Sequence, residues 1–395
     1  MRDNLRPHGV PATVISLAVI VTFALFGATA VGGGRAHASQ VTCGETITAD
    51  TTLDSDLVNC PNNGIVIGAD DITLDLNGHL VDGDGAPAVD CDPRSAVCDA
   101  GVVNDGHDGV TVMRGSVREF AVGVLFGTST PSRARHNRVL GVSASRNQFL
   151  GLGIFSQVRS LVRNSSGNGS LDRNGNGLAL GDSHHVRIVN NSFRRNAHNG
   201  INTGESSRNL ISGNVFSRNG DEGILVEGGA RFRMTRNRFA RNGGGITLGP
   251  SSRSAVTRNR IVGGHDGIRV EKGRGNLVAE NIVVDTRHVG ITLGIHDPLV
   301  GGAENVVRGN HVRRSHLDGI VVVNKDRHSV LLRNVVTRSR DDGFDVDSST
   351  TTLTGNRARR NGDLGIEAVF GVIDSGGNLA GGNGDPLQCL NVTCH

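Results

Sequence analysis

The sequence predicts an all-β solenoid, and three regularities along the chain support that prediction. Eight glycines recur at intervals of mostly 22 to 24 residues, each is followed by Ile or Phe, and each opens a short alternation of apolar and polar residues. Several short strands in one period of this length indicate stacked coils. We expect about 11 to 13 coils. The glycines are Gly200, Gly223, Gly245, Gly267, Gly290, Gly319, Gly343 and Gly365.

An asparagine stands eight or nine residues before each of these glycines. Asn tolerates the left-handed backbone of a tight turn, and coils about 4.8 Å apart let one side-chain amide donate to the next. The column therefore predicts a structural amide ladder, which Asn168 would join ahead of Gly177. Its other members are Asn191, Asn214, Asn237, Asn259, Asn281, Asn310, Asn334 and Asn356.

These repeats resemble the right-handed parallel β-helix repeat family, which has the pectin-lyase-like fold. Earlier segments join the resemblance, namely residues 72–79, residues 110–120 and the glycines Gly123, Gly153 and Gly177. The family includes secreted polysaccharide lyases, epimerases and NosD-type periplasmic proteins. The resemblance implies a right-handed parallel β-helix over most of the chain. It leaves the activity open, because this fold carries many functions.

The N-terminal segment has the pattern of a secretory signal peptide. Arg2 and Arg6 precede an apolar run over residues 14–31, and Ala36-His37-Ala38 follows as a small-residue cleavage site. We expect residues 1–38 to be removed and the protein to be secreted, with an uncleaved anchor as the alternative. Residues 39–100 would then form an N-terminal cap with the first coils, residues 101–370 the repeat domain, and residues 371–395 a C-terminal cap.

The six cysteines form three pairs that are close in sequence. Since no cysteine lies in the signal segment, we expect three local disulfides in an oxidising compartment, stapling the ends of the solenoid. Unequal spacings make a cysteine metal site the weaker alternative. The expected pairs are Cys43 with Cys60, Cys91 with Cys98, and Cys389 with Cys394.

Basic residues are almost all arginine, since lysine occurs only at Lys272 and Lys325. Arginine suits bidentate contact with carboxylate or sulfate groups. The residues four positions after the ladder asparagines include two sets of three arginines, and stacked coils would align each set as a basic row. Such a row is either a solvated face or a track for an anionic polymer, and both interpretations remain open. The rows are Arg195, Arg218 and Arg241, then Arg314, Arg338 and Arg360.

Acidic residues concentrate on the outward side of the last coils. Because side chains alternate along a strand, Asp345 and Glu367 should stack on neighbouring coils, with Asp347 on the same face. Asp318 and Asp342 form a second stacked pair. Such crowding predicts a general acid and base, or a Ca²⁺ site formed by Asp342, Asp345 and Asp347; solvated surface acids are the alternative.

An insertion over residues 295–304 indicates where binding would occur, because insertions in solenoids collect at the binding face. It places His296 near the acidic coils, with Lys325 on the same rim and Arg269 further along the strand face. The predicted catalytic set is therefore Asp345, Asp347, Glu367, Arg269, Lys325 and His296.

Several functions remain open at this stage. Alginate epimerases of the family carry Asp-Pro-His-Asp, whereas this chain has His296-Asp297-Pro298, and Asp341-Asp342-Gly343 resembles a polygalacturonase motif without the Gly-His-Gly that should follow. We therefore assign no catalytic residue from either group.

The absence of Trp and Tyr disfavours neutral-sugar enzymes and single-stranded nucleic-acid binding. The first hypothesis is a monomeric secreted protein that binds an acidic polysaccharide and, as an enzyme, would cleave it by elimination or hydrolysis. The alternatives are a non-catalytic surface scaffold and a NosD-like periplasmic accessory protein, for which His198, His265, His288 and His316 form a partial column of metal-ligand candidates.

Overall fold

The computed structural model describes residues 38–86, 99–127, 133–170, 175–294 and 301–395. Within these ranges the chain is a parallel β-solenoid without α-helix, and no helix is long and apolar enough to cross a membrane. The predicted architecture is confirmed. One sheet has fourteen strands that follow one another from coil to coil, and the solenoid has about thirteen turns.

The fourteen-stranded sheet, called the groove sheet below, contains the strands that begin at or near the repeat glycines. Every pairing in it is parallel and joins successive coils. Its strands are Glu45–Ile47, Ile65–Ile67, Ala100–Asn104, Val122–Phe126, Leu150–Phe155, Asn176–Gly181, Ile201–Gly204, Glu222–Val226, Gly244–Leu248, Ile268–Val270, Ile291–Leu293, Ile320–Val322, Phe344–Val346 and Ile366–Ala368.

A second sheet of 27 described strands forms the rest of the wall in two runs. Thr111–Arg118 and Arg138–Ser145 pass through both runs and join them. The first run has Ala38–Ser39, Thr51–Leu53, Thr73–Asp75, Leu161–Arg163, Arg187–Val189, Leu210–Ser212, Arg233–Thr235, Ala255–Thr257, Leu277–Ala279, Val306–Arg308, Val330–Leu332, Thr352–Thr354 and Ile373–Asp374. The second has Leu57–Cys60, Leu80–Gly83, Ser166–Asn168, Ser192–Arg194, Val215–Ser217, Arg238–Ala240, Arg260–Val262, Ile282–Val284, His311–Arg313, Val335–Thr337, Arg357–Arg359 and Leu379–Gly381.

Two small parallel sheets complete the described strands. Ala134–Arg135 pairs with Gln157–Val158, and Ser206–Ser207, Gly229–Ala230 and Ser251–Ser252 form a three-stranded sheet. They lie where the coils turn from the groove sheet toward the second sheet. The corner is therefore extended backbone rather than a loose loop.

One apolar core runs along the inside of the solenoid. The first and third residues of the groove strands are buried, as in Ile268 and Val270. The rings of Phe193, Phe216 and Phe239 stack on successive coils, with centroids 5.4 and 4.7 Å apart. Burying a side chain of this size contributes about 1.5–3 kcal/mol. Each described coil therefore adds buried apolar side chains to one continuous core.

The predicted asparagine ladder is confirmed and is longer than expected at its C-terminal end. From Asn191 to Asn378 each side-chain amide donates to the next Asn carbonyl at 3.0–3.2 Å. Each amide also donates to a backbone carbonyl, for example Asn259 Nδ2 to Met234 O at 3.0 Å. The buried turn is thereby hydrogen-bonded throughout.

Two details of that prediction are wrong. Asn168 pairs in register with Arg194 at the end of a strand, and Ser165 precedes Asn191 in the ladder through its backbone amide. The left-handed backbone belongs to the residue before each ladder asparagine, such as Arg236 and Arg258 with φ of 56° each. The asparagine side chain turns inward to the ladder, so its neighbour makes the turn.

Two of the three expected disulfides are confirmed at the ends of the described chain. Cys43 joins Cys60 with a Cα–Cα distance of 5.3 Å, and Cys389 joins Cys394 at 6.2 Å. Cys91 and Cys98 lie outside the described residues. Disulfides at the ends of a solenoid are typical of a protein from an oxidising compartment.

Candidate functional site

The outward face of the groove sheet carries two clusters of charged side chains. Three outward positions recur in each coil, namely the residue before the glycine and the second and fourth residues after it. Because neighbouring parallel strands lie about 4.8 Å apart, equivalent side chains on successive coils are forced together. The charge at each position therefore determines whether neighbours attract or repel.

The first group, called the mixed cluster below, combines acids, an arginine and two histidines. Arg269 lies among three carboxylates, at 3.5 Å from Glu222, 3.5 Å from Asp266 and 2.7 Å from Glu271. The contact with Glu271 is an ion pair in which Arg269 Nε lacks hydrogen-bond alignment. The members are Glu222, His265, Asp266, Arg269, Glu271 and His288.

Asp266 is the buried centre of the mixed cluster. It accepts hydrogen bonds from His288 Nδ1 at 2.8 Å, from the Val289 amide at 3.1 Å and from His265 Nδ1 at 3.3 Å. Burial by itself would raise the pKa of the Asp266 carboxyl, but the hydrogen bonds from His288, Val289 and His265 leave that pKa below its ordinary value. Asp266 is therefore held as an anion.

Glu222 behaves in the opposite way. Burial, followed by a hydrogen bond with Asp221, raises the pKa of Glu222 to about 7, against the attraction of Arg269. Thr247 Oγ1 donates to Glu222 Oε1 at 3.3 Å. The mixed cluster thus contains one carboxyl that exchanges its proton near neutral pH beside one that stays ionised.

The second group, called the acid cluster below, lies on the last three coils of the groove sheet. Asp345 pairs in register with Glu367, as predicted, and Val321 occupies the equivalent place on the coil before. Within the described residues no basic side chain forms an ion pair with any member. The members are Asp318, Asp341, Asp342, Asp345, Asp347 and Glu367.

Hydrogen bonds fix the inner acids of this cluster. The Asp342 amide donates to Asp318 Oδ1 at 3.0 Å, and the Leu364 amide donates to Asp342 Oδ1 at 2.7 Å. Burial and a hydrogen bond with the Glu367 carboxyl raise the pKa of Asp342 to about 8. Asp342 therefore keeps its proton toward neutral pH beside the Glu367 carboxyl of the next coil.

Asp345 is the second acid of the cluster that titrates near neutrality. Burial, and then the negative charges of Asp347 and Asp318, raise its pKa to about 7. Burial also raises the pKa of Asp318. Since like charges at one strand spacing repel, the acid cluster holds protons that isolated carboxyls would have lost.

Carboxylate oxygens of Asp318, Asp341 and Asp342 lie within 4.8 Å of one another, which is close enough for a shared cation. This trio overlaps the predicted Ca²⁺ set of Asp342, Asp345 and Asp347 in one residue. Oxygen ligands suit Ca²⁺. The Ca²⁺ site stays a prediction.

The predicted catalytic set does not form one site. Arg269 pairs with Thr292, which pairs with Val321, which pairs with Asp345, so three strand steps separate Arg269 from Asp345. Lys325 is exposed in the turn after the strand Ile320–Val322. His296 lies outside the described residues. Asp345, Asp347 and Glu367 do share one face.

An apolar step separates the two clusters on the same face. Val289, Val321 and Val323 form a small buried group on the outside of the groove sheet. No charge bridges the clusters at this step within the described residues, because these outward positions are valine. Arg269 in the mixed cluster and Asp345 in the acid cluster are therefore three strand steps apart, or about 14 Å along the solenoid at about 4.8 Å per coil, although His288 and Asp318 lie on adjacent coils.

Glu222 and Asp266 are the residues that sequence reasoning missed. Both occupy the position just before a repeat glycine, the same position as Asp318 and Asp342. That shared position was a readable signal. The sequence prediction used this position only in the last coils, where Asp318 and Asp342 stack.

A basic groove lies at another corner of the solenoid. Arg195, Arg218 and Arg241 follow one another on successive coils, with left-handed φ of 56° to 58°. They line a groove of about 700 Å³ together with Arg146 and Arg194. Elsewhere in the same row Arg314 pairs with Asp285 and Arg146 with Glu119. Within the described residues the three stacked arginines form no ion pair with an acid.

Comparison with known proteins supports the fold. The family model described as right handed beta helix region matches residues 176–297, and the model of periplasmic copper-binding protein (NosD) matches residues 245–378. No curated protein shows significant similarity to the sequence.

Solved structures that match this chain have low sequence identity to it. A double mutant of the periplasmic alginate epimerase AlgG has a TM-score of 0.47 and 15% identity, over 89% of this chain and 78% of that one. The Azotobacter vinelandii mannuronan C-5 epimerase AlgE4 A-module has 0.47 and 16%, over 80% and 88%. PfbA, a surface adhesin of Streptococcus pneumoniae, has 0.45 and 13%, over 77% and 83%.

The stacked parallel coils and the match to the right-handed β-helix family model lead to one assignment. The described chain has the fold of a right-handed parallel β-helix, and its residues 176–297 match the family model for that repeat.

Proposed function

We propose that the protein is a secreted polysaccharide-processing β-helix that hydrolyses a glycosidic bond at the acid cluster. One observation carries the proposal: the carboxyl groups of Asp342 and Glu367 approach each other from neighbouring coils of an open sheet face, and burial together with this contact keeps a proton on Asp342. A pair of carboxyl groups of which one retains its proton is the arrangement that glycoside hydrolysis requires.

The residues divide the work as follows. Asp342 in its protonated form donates to the glycosidic oxygen, and the bond from that oxygen to the anomeric carbon breaks. Asp347, half-buried on the same face, accepts a proton from the water whose oxygen attacks the anomeric carbon. The hydrogen bond from the Leu364 amide holds the Asp342 carboxyl in place. Burial of Asp342 supports the donor role, because it keeps the proton bound up to a pH of about 8.

Two further features favour a long glycan as the substrate. Phe370, three residues after Glu367, is 90% exposed, and an exposed aromatic face stacks on a sugar ring. The arginines of the basic groove offer bidentate contacts to carboxylate or sulfate groups. Five coil steps separate Arg218 from Asp342, or about 24 Å at about 4.8 Å per coil. A chain of several sugar units spans that distance.

The test is turnover of a panel of acidic polysaccharides by the purified protein. New reducing ends without ultraviolet-absorbing unsaturated product are the expected result. Asp342→Asn should lower the rate by about 10²- to 10⁴-fold, as removal of a general acid does. Glu367→Gln should lower it less, because it removes a carboxyl that helps to keep Asp342 protonated. Glu227→Gln is the matched control, because Glu227 is exposed on the groove sheet five coils away from Asp347.

Unsaturated product would mean that the protein cleaves by β-elimination and not by hydrolysis. Wild-type rates in both Asp342→Asn and Glu367→Gln would contradict the assigned site.

A non-catalytic scaffold that binds acidic polymers is the second candidate function. It is favoured by the basic groove, where three stacked arginines face each other without an acidic partner in the described residues. Such a row is repulsive until a polyanion neutralises it. The scaffold would be favoured over the enzyme if the protein binds acidic polysaccharides without any turnover. This binding should weaken with salt and be lost in the double variant Arg218→Gln, Arg241→Gln.

A further inference from the structure

We propose that His265, Asp266 and His288 of the mixed cluster form a binding site for a divalent transition-metal ion. This inference does not depend on the proposed hydrolysis. It concerns a different cluster, which is separated from the acid cluster by the valine step described above.

The two imidazole rings come from successive coils and face one another. Their centroids lie 4.6 Å apart with an interplanar angle of 24°. The solenoid enforces this arrangement, because both histidines occupy the second position before a repeat glycine and the coils are stacked in register. A pair of donors on one face is therefore built into the backbone rather than produced by a side-chain rotation.

Asp266 provides the third donor. The Nδ1 atoms of His288 and His265 approach the two carboxylate oxygens of Asp266 at 2.8 and 3.3 Å. One candidate ligand atom from each residue lies within 4.8 Å of the other two. With metal–ligand bonds of about 2.0–2.2 Å, neighbouring ligands of a tetrahedral ion are separated by about 3.3 Å. The observed spacing suits an ion that takes the place of the two Nδ1 hydrogen bonds, with the proton of each neutral imidazole on Nε2.

The charge around the site also favours a cation. Three carboxylates, those of Glu222, Asp266 and Glu271, surround the single guanidinium of Arg269. Asp266 is nearly buried, whereas the side chains of His265 and His288 are 61% and 42% exposed. The anionic ligand is thus held by the protein, and the imidazoles give an ion access from solvent.

The ligand set indicates the class of metal. Two imidazoles and one carboxylate suit Zn²⁺ and Cu²⁺, whereas Ca²⁺ and Mg²⁺ prefer oxygen ligands alone. Three protein ligands leave positions for water, so we expect an open site. Zn²⁺ and Cu²⁺ are separate arms of the test.

The experiment is calorimetric titration of the untagged protein with Zn²⁺ and with Cu²⁺ at pH 7.5, with Ca²⁺ as a third arm. One equivalent of a transition ion should bind, and bound Cu²⁺ should show nitrogen hyperfine coupling in its electron paramagnetic resonance spectrum. His265→Ala and His288→Ala should each weaken binding by at least about tenfold. His198→Ala is the matched control, because His198 occupies the same position on an earlier coil and pairs with Asp221 instead.

Two further variants protect the result against misfolding and misassignment. Asp266→Asn keeps a carbonyl acceptor for the histidines and should still weaken metal binding. Circular dichroism should show that this variant is folded. Asp342→Asn in the acid cluster should leave binding unchanged. Undiminished affinity in both histidine variants, or loss of affinity in Asp342→Asn instead, would overturn the proposal.

Discussion

The mixed cluster and the acid cluster stand on the same sheet face and on the same kind of backbone, yet their charges are balanced in opposite ways. In the mixed cluster Arg269 and two histidines neutralise the acids from within. In the acid cluster six carboxyl groups have no basic partner among the described residues, and Asp342 and Asp345 keep their protons toward neutral pH instead. Coil stacking forces close neighbours in both cases. The outcome depends only on which residue occupies each outward position.

This difference separates the chemistry that each cluster can perform. The mixed cluster has fixed hydrogen bonds, and through them Asp266 orients His265 and His288. A cluster of like charges has exchangeable protons and an unfavourable field until a proton, a cation or a substrate relieves it. The following experiments either convert one cluster toward the other or measure how far they differ.

Arg269→Met should have the largest effect, because it turns the mixed cluster into a second acid cluster. Removing one partner from a fully buried ion pair costs about 3–5 kcal/mol. Since the Arg269 side chain is 34% exposed, we expect a smaller loss of about 2 kcal/mol in the free energy of unfolding. The denaturation midpoint measures it. Arg260→Met, at an exposed strand position, is the control.

A shift in Arg269→Met no larger than that in Arg260→Met would mean that the acids of the mixed cluster do not need their arginine. The contrast between the clusters would then be one of geometry and not of charge.

Asp342→Asn should have a smaller effect of the opposite sign. The pKa of Asp342 is about 8 in the folded protein and near 3.8 ordinarily, so the folded state binds the extra proton between these values. Stability is therefore greatest at low pH and is lost as the pH rises from about 4 toward 8. Asparagine removes this loss and keeps an acceptor for the Leu364 amide.

We expect Asp342→Asn to match the parent near pH 4 and to exceed it by roughly 1 kcal/mol at pH 8, after discounting for solvent screening. Thermal unfolding across this range measures the difference. Glu222, with a pKa of about 7, also makes the free energy of unfolding fall with rising pH in both proteins. Only the difference between the two proteins is therefore informative. A constant difference from pH 4 to 8 would contradict the raised pKa of Asp342, and Glu227→Gln serves as the control.

The fold was predictable because it is periodic. Glycine, isoleucine and asparagine recur at positions that each perform one repeated structural task, so eight copies reinforce one interpretation. The same periodicity gave the register of Asp345 with Glu367, which the structure confirms. It failed for Asn168, because twelve residues instead of eight or nine separate the ladder position from Gly177, and Ser165 therefore meets Asn191.

The candidate sites were only partly predictable, because a site depends on which coils are adjacent and on side-chain reach. The predicted set combined Arg269 with Asp345 across three strand steps, which is further than side chains reach. Glu222 lies two coils from Arg269 and still contacts it, because Thr247 on the intervening coil is small and the arginine is long. Neither fact follows from spacing alone. Both follow once register and side-chain length are combined.

The smallest expected effect is in Asp347→Asn, which measures how strongly the acids of the acid cluster influence one another. After burial, the charge of Asp347 is the largest cause of the raised pKa of Asp345. Asparagine removes that charge at nearly constant size, so the pKa of Asp345 should fall from about 7 toward its ordinary value. Carboxyl carbon chemical shifts of selectively labelled aspartate, followed against pH, report it. Asp347→Glu keeps the charge and should leave the Asp345 titration near that of the parent. An unchanged titration in Asp347→Asn would mean that burial, and not the charge of Asp347, holds the proton on Asp345. The acid cluster would then differ from the mixed cluster in how far its carboxyl groups are buried and not in the sign of its charges.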